Sequence, residues 1–469
     1  MARKKKIKQD VKIHGIADKG MGVGRDEDGV VYFVQGPVPG DVVDVIVTRK
    51  KSSYRKGIVK EYKSYSSERT EPFCDHFDLC GGCKWQHLEY LSQLKYKHII
   101  VQDAFKRIAG IETADIRQIR GCTNLTEYRN KLEYSFSSRR WVPQEEIDTG
   151  EKIEFGPAAG FHRAGAFDKI VQIRKCHLQD DLSNRIRNRI DELGRTHNWS
   201  YYNAREHHGF LRNVVLRNTE LGEWMIIVLV GENDSEKIQF LLDTLKSEFQ
   251  ELSSIYYSIN TKFNDSMYDL KMELYHGSDF ITEQLGHIKY KIGPKSFFQT
   301  NTKQANVLYD YVVELAELKG HELVYDLYTG LGSIALYIAS KCKQVVGIEE
   351  IPEAIEDARA NAEFNNIDNT VFLTGDVKDL FTGSFIEKYG KADLVIVDPP
   401  RAGLHKDVCE MLNSADVDRI IYVSCNPSTQ ARDIAILNEN YELISLQPVD
   451  MFPHTHHIEN IALLKRREQ

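Results

Sequence analysis

No stretch of this 469-residue chain approaches the uninterrupted apolar run that spans a bilayer, which excludes a helical membrane protein and a membrane partner. The charged start Met1-Ala-Arg-Lys-Lys-Lys6 is not followed by an apolar segment, so no secretory signal is expected and a cytoplasmic location is. Cysteine is scarce at eight residues, and in a reducing compartment these are expected to be free thiols or metal ligands, not disulfides. Excess positive charge is also lacking: the formal net charge of −8 argues, taken whole, against a polyanion partner. The distribution reverses that. Residues 1–70 carry 16 Lys+Arg and 9 Asp+Glu, a net of +7, while the other 399 residues sum to −15. A basic end on an acidic body points to a polyanion-binding segment, with a solubilising tail as the plainer alternative. The length predicts roughly two to four domains.

The basic end reads as strands. Val30–Val34 and Val42–Val47 are β-branched runs separated by Gly36-Pro-Val-Pro-Gly40, Asp28-Gly29 suits a hairpin turn, and Ile58-Val59 begins a further strand. Short strands with closely spaced turns predict a small OB-like β-barrel. Arg49-Lys50-Lys51 and Arg55-Lys56 flank Tyr54, a combination that suits a phosphate backbone and a stacked base. The layout resembles a TRAM domain, an RNA-binding barrel.

Cys74-Asp-His-Phe-Asp-Leu-Cys80-Gly-Gly-Cys83 places three thiols within ten residues around a flexible Gly-Gly turn. They could converge on one metal centre, with Cys176 as the fourth ligand; four thiolates suit zinc or an iron–sulfur cluster. His76, His87 and His177 are further ligand candidates, more simply read as hydrogen-bonding histidines. The pattern from about residue 88 to 110 is an amphipathic helix able to pack on the catalytic domain. Leu132, Tyr134 and Phe136, then Gly160–Arg163, Val214–Leu216 and Met225–Val230, predict strands, and Ile238–Phe249 a helix. An antiparallel α+β domain follows. Arg129 could clamp an RNA phosphate or make a surface ion pair.

In the last third, strands and helices alternate, which implies a doubly wound, mostly parallel sheet. Asp326-Leu-Tyr-Thr-Gly330-Leu-Gly332 follows the first strand, and Glu349 ends the next, about 20 residues on, where an acidic residue can bind a ribose diol. No lysine follows as in a P-loop, which disfavours nucleoside triphosphates. Asp398-Pro-Pro-Arg-Ala-Gly403 ends the fourth strand; Arg401 stands where an aromatic would suggest amino-group methylation. Cys425 follows the apolar run Ile420–Val423 and precedes the strand-stopping Pro427, which puts a thiol at the ligand edge of the sheet. Glu459 sits at the mouth of the final strand.

Together Ser296-Phe-Phe-Gln299-Thr-Asn301, Asp326-Leu-Tyr-Thr-Gly330, Asp398-Pro-Pro-Arg-Ala-Gly403, Ser424-Cys-Asn-Pro-Ser-Thr429 and Phe452-Pro-His-Thr-His-His-Ile-Glu459 resemble the RNA uracil-5-methyltransferase family. The resemblance implies a multidomain chain: a TRAM barrel over residues 1–62, a central α+β domain with a four-cysteine cluster over 63–290, and a Rossmann-like S-adenosylmethionine-dependent methyltransferase over 291–469. It implies that Gln299, Tyr328, Glu349 and Asp398 contact S-adenosylmethionine, with Asp376 near the adenine. It makes Cys425 the nucleophile and Glu459 the base. It favours a [4Fe-4S] cluster on Cys74, Cys80, Cys83 and Cys176 over zinc. Members with both barrel and cluster act on 23S ribosomal RNA, whereas the tRNA-modifying branch lacks both, so ribosomal RNA is the expected partner of a monomeric enzyme. A tRNA uracil-5-methyltransferase and a non-catalytic iron–sulfur RNA-binding factor are the competing readings.

The chemistry asks for the same groups. Carbon 5 of uracil is too weak a nucleophile for a methyl sulfonium until a thiolate adds at carbon 6. The thiol pKa, near ~8.5 when free, must then be lowered locally. A carboxylate must strip the proton from carbon 5 before the thiol can leave. The base must be flipped out of its stack, and Phe297 could hold it if it is not core.

Overall fold

The computed structural model describes residues 6–112, 115–153 and 155–468, so the basic residues 1–5 lie outside them. The chain forms two compact units. The first comprises Met1–Phe77, Cys83–Thr123 and Asp398–Gln469; the second comprises Asp78–Gly82 and Asn124–Val397.

The first unit opens with a closed barrel. Its strands are β1 (Ile7–Ala17), β2 (Met21–Arg25), β3 (Val31–Gln35), β4 (Val42–Lys50) and β5 (Tyr54–Ser64), ordered β1-β2-β3-β5-β4. Alternation makes most of it: Val11, Ile13, Tyr32, Val34, Val43 and Val45 form its buried core, with exposed Lys12 between Val11 and Ile13, while Asp44 between Val43 and Val45 is itself buried. The expected Asp28-Gly29 turn is present, with Gly29 at φ +79° and its N–H donating to Asp26 O at 2.9 Å. β1 and β2 are not marked in the sequence, because β1 contributes only two buried apolar residues and β2 is glycine-rich. The glycines are needed for closeness: a Cβ on Gly24 would meet Val11 Cγ1 at 2.5 Å.

The helix expected over 88–110 runs Tyr90–Ala104 and passes into a π-helical turn at Phe105–Ala109, stopped by Gly110 at φ +66°. It packs against helix Pro427–Leu437 of the same unit. Strand Glu459–Arg466 lies between Arg419–Ser424 and Tyr441–Val449, antiparallel to both. The apolar run Ile420–Val423 is fully buried, as its composition requires.

The second unit carries a seven-stranded sheet in the order Glu273–Gly277, Leu252–Ile259, Trp224–Val230, Leu211–Asn218, Lys131–Ser137, Ala158–His162, Ile170–Gln172. The expectation of a purely antiparallel domain is corrected by one pair. Trp224–Val230 and Leu252–Ile259 run parallel, because helix Ser235–Glu248 carries the chain back across the sheet. A hairpin not foreseen from sequence, Ile281–Leu285 with Ile288–Ile292, follows. Then come four parallel strands ordered Thr370–Thr374, Gln344–Glu349, Leu323–Leu327, Leu394–Val397. Among the described residues no helix is long and apolar enough to cross a membrane.

Candidate active site

In the first unit the structure brings Cys425, Glu459, Asp398 and Arg401 into one electrostatic cluster. Strand Arg419–Ser424 stops just before Cys425, and helix Pro427–Leu437 begins two residues after it, with Asn426 as its N-cap accepting from Ser428 N at 3.1 Å. Pro427 at the first helical position fits, since its missing N–H would have had no partner there. The thiol is thus held on a tight strand-to-helix turn, half-buried. The loop beside it is stapled to that helix. Asn426 Nδ2 donates to Arg401 O at 3.1 Å, and buried Asp433 accepts from Leu404 N and Tyr422 OH, each at 2.8 Å. Gly403 is required at the crossing: at φ +81°, a Cβ there would meet Asp433 Oδ2 at 2.4 Å.

The electrostatics correct one expectation. The Cys425 thiol is not lowered but pushed up to about 11, first by burial and then by the Glu459 and Asp398 carboxylates; Arg401 opposes them by charge and hydrogen bonding. Glu459, itself buried, is raised well above the ordinary carboxylate range by the same burial and by Asp398. Three acidic groups share one guanidinium, and in the free protein the Cys425 thiol and the Glu459 carboxyl hold on to their protons. In the sequence, Arg401 speaks only against amino-group methylation. Its place beside the thiol could have been inferred from a basic residue following Asp-Pro-Pro at a strand end.

Glu459 is positioned by the loop that precedes it. Buried Asp450 directly follows strand Tyr441–Val449, and its carboxylate receives Lys97 Nζ at 2.6 Å and Tyr90 OH at 2.9 Å. Gln93 Oε1 accepts from His454 N at 2.9 Å, and Lys84 N and Trp85 N donate to His454 O at 2.8 and 3.0 Å. His454 sits at φ +64°. The loop from 450 to 457 is therefore tied to helix Tyr90–Ala104 through buried polar contacts.

The nucleotide-type turn lies in the second unit. Tyr328, at φ +70°, and Thr329 both donate backbone N–H groups to Ile348 O at 2.9 and 3.0 Å, which reverses the chain sharply after strand Leu323–Leu327. Gly330 N and Ile351 N each donate to the Glu349 carboxylate at 3.1 Å, so Glu349 is pre-oriented at the strand end. Asp376 directly follows Gly375, whose N–H donates to Glu349 O at 2.8 Å; the Asp376 side chain caps Val377–Leu380. A Cβ placed on Gly330 would meet nothing within 4 Å, so the turn leaves an open cradle. Buried Asp326 accepts from Thr329 Oγ1 at 2.6 Å through Oδ2, while Oδ1 has no hydrogen-bond partner. Burial and nearby Glu349 push its carboxyl up to about 7. An open cradle beside an orphaned acceptor fits a ligand rich in hydroxyl and amine donors, as S-adenosylmethionine is. Gln299 lies in the same unit, its backbone carbonyl accepting from Asn130 Nδ2 at 2.8 Å. Asp398 falls in the first unit with the thiol.

Phe297 is 68% exposed while Phe298 is buried, which removes core packing as the reason for Phe297. Arg129 is half-buried against Tyr128, and its backbone N–H donates to Leu178 O at 2.7 Å. Among the described residues no group of three or more His, Cys, Asp and Glu side chains could hold a metal ion, so the expected four-thiolate centre is not shown. Cys74 and Cys83 belong to the first unit, Cys80 and Cys176 to the second. Cys80 Sγ accepts from Gly82 N at 3.4 Å, and Asn184 takes the Cys176 N–H at 2.7 Å. His87 is a hydrogen-bonding residue, its Nε2 2.8 Å from Gly36 O.

Comparison with known proteins bears on these geometries. A family model described as tRNA (Uracil-5-)-methyltransferase matches residues 239–467, and a TRAM domain model matches residues 4–60. An uncharacterized RNA methyltransferase of Bacteroides thetaiotaomicron is 46% identical over 455 residues, covering 96% of this chain and 100% of that protein. One from Porphyromonas gingivalis is 44% identical, covering 94% and 97%. Among solved structures, the Pyrococcus abyssi tRNA (uracil-54, C5)-methyltransferase in complex with S-adenosyl-L-homocysteine is 31% identical with a TM-score of 0.73, covering 97% of this chain and 100% of that one.

Proposed function

This chain belongs to the RNA uracil-5-methyltransferase family, and we propose that it methylates carbon 5 of a uridine with Cys425 as nucleophile and Glu459 as base. The observation that carries the residue assignment is the clustering of Cys425 with Glu459, Asp398 and Arg401 at a strand end. S-adenosylmethionine, when bound, supplies the methyl group; Tyr328, Glu349 and Asp326 line the turn that would hold it, with Gln299, Asp376 and Asp398 as further contacts. Cys425 gives up its thiol proton to solvent and adds as the thiolate to carbon 6 of the flipped uracil, the pair of the 5,6 double bond moves toward O4 as an enolate, and carbon 5 becomes nucleophilic. Once carbon 5 carries its new methyl, the Glu459 carboxylate removes the remaining hydrogen. The electrons re-form the 5,6 double bond and expel the thiolate. A buried carboxylate of raised proton affinity is a stronger base than a solvated one, which suits that step. Arg401 stabilises the thiolate each time it is released.

The expected substrate is 23S ribosomal RNA, a reading supported by the barrel and the cysteine spacing. A tRNA substrate is the second reading, favoured by the Pyrococcus enzyme, which aligns along nearly the whole chain including the barrel region. Domain layout therefore does not separate the two. Incubation with methyl-labelled cofactor and separate ribosomal and transfer RNA fractions, followed by mapping of 5-methyluridine, decides between them. Label in neither fraction would overturn the assignment. The [4Fe-4S] reading rests on the cysteine spacing and the family resemblance; iron and acid-labile sulfide in anaerobically purified protein would support it, and their absence would remove it.

A further inference from the structure

One face of the central sheet carries two cations that have no ion-pair partner among the described residues. Lys131 on strand Lys131–Ser137 lies directly opposite Arg217 on strand Leu211–Asn218 in antiparallel register. Like charges in that position repel, and a sheet normally avoids them. Arg217 is 4% exposed, yet only one of its contacts is a hydrogen bond within the protein: Nη2 donates to Ser296 O at 2.6 Å, while the buried Nε has no partner. Among the described residues neither cation has a carboxylate within ion-pairing distance. The acids nearby act only through space: Asp357, which accepts from Ser296 Oγ at 2.6 Å, on Arg217, and exposed Glu133, next on the same face, on Lys131. The two cations feel each other: burial and Arg217 lower Lys131 to about 8, and burial lowers Arg217 to about 10.

A buried donor left unsatisfied and a like-charge pair left uncompensated each cost stability. Both costs vanish if an anion sits between them. The segment that Arg217 grips through Ser296 continues directly into exposed Phe297. We propose that Lys131 and Arg217 form a binding site for a phosphate of the RNA backbone, next to the nucleotide that Phe297 receives. The guanidinium presents its free N–H to one phosphate oxygen and the ammonium neutralises a second, so the site fixes the strand without reading its sequence. The Phe297 part of this proposal rests on the uridine-methylating reading above; the phosphate site does not.

The test is binding of a short oligouridylate to the full chain over a range of KCl concentrations, with S-adenosylhomocysteine titrated separately. Lys131→Gln should weaken oligouridylate binding about tenfold and reduce the slope of log affinity against log salt by about 0.7, one single-strand phosphate contact. Lys131→Arg should restore both. Arg217→Met, checked by its melting curve for folding, should show the same loss. S-adenosylhomocysteine affinity should not change. An unchanged oligouridylate affinity and salt slope in Lys131→Gln would overturn the proposal. So would a loss confined to S-adenosylhomocysteine, which would make the anion the carboxylate of the cofactor. These are binding readouts, so a wild-type protein that binds oligouridylate but transfers no methyl group would sink the functional reading and leave the phosphate site standing.

Discussion

Lys97→Met tests how the base is held. The Lys97 and Asp450 side chains are both fully inaccessible, 2.6 Å apart, and Lys97 Nζ also donates to Phe452 O at 3.2 Å. Methionine matches the lysine stem in length but leaves the Asp450 carboxylate buried without a cation. Breaking one side of such a pair costs about 3–5 kcal/mol, far more than the same pair would contribute at a surface. Asp450→Asn on the same background removes the stranded charge and keeps an oxygen for one of the two remaining donors, Tyr90 OH and Phe452 N, so it should return at least about half of the loss. Trp85 is a built-in reporter: it is buried, and Lys97 Nζ lies 5.7 Å from its ring. Urea unfolding followed by its fluorescence, in a background with Trp141, Trp199 and Trp224 changed to Phe, gives the four corners of a double-mutant cycle. Methyl transfer should fall mainly in kcat, since the loop leading to Glu459 loses its anchor while the RNA surface is untouched. A single variant destabilised by less than about 1 kcal/mol, or a double variant no better than the single, would refute the reasoning.

Other outcomes follow from the same geometry. Cys425→Ala should abolish methyl transfer, and Glu459→Gln should accumulate a protein–RNA adduct retarded on a denaturing gel; free product from either variant would contradict the assigned roles. Because the Cys425 thiol is raised to about 11, thiolate is scarce at neutral pH. The single-turnover rate should climb about tenfold per pH unit from neutrality into the alkaline range, and a flat profile would show that thiolate formation is not limiting. Arg401→Gln removes the one charge that lowers this thiol and should slow the reaction further at fixed pH, with partial recovery at higher pH. Asp326 has a folded-state pKa of about 7 against an ordinary value of 3.8, so the folded protein binds the extra proton and its stability declines as pH rises between those values. Asp326→Asn should therefore match wild type in melting near pH 4 and exceed it above pH 7 by up to about 4 kcal/mol in the ligand-free protein; equal melting at pH 8 would show that the carboxyl is not strained.

The alternating strands and helices of the last third were legible because most strands are built on short apolar, largely β-branched stretches such as Val345-Val346, Leu394–Val397 and Ile420–Val423 that are buried. The thiol at Cys425 was legible for a related reason: a strand that must stop at Pro427 exposes whatever side chain comes just before. Sequence alone was silent where the deciding contact lies far along the chain. The barrel's first two strands are marked by few apolar residues and become strands only through their partners. The parallel pair in the central sheet depends on which side the helix Ser235–Glu248 crosses. The cysteine spacing permits a four-thiolate centre, but spacing alone does not show one, because it bounds only how near the thiols can come.

Residue type and order determined which groups could perform the chemistry: a thiol and a carboxylate at strand ends, glycines at a turn, basic residues around an aromatic. Their energies were decided only by folding. Whether Cys425 is acidic or reluctant to ionise depends on two carboxylates and one guanidinium brought in from other strands. Whether Lys131 and Arg217 are ordinary surface cations or an unfilled anion site depends on cross-strand register. Charge interactions act through space and grow as water is excluded, so the linear order of the residues cannot fix them.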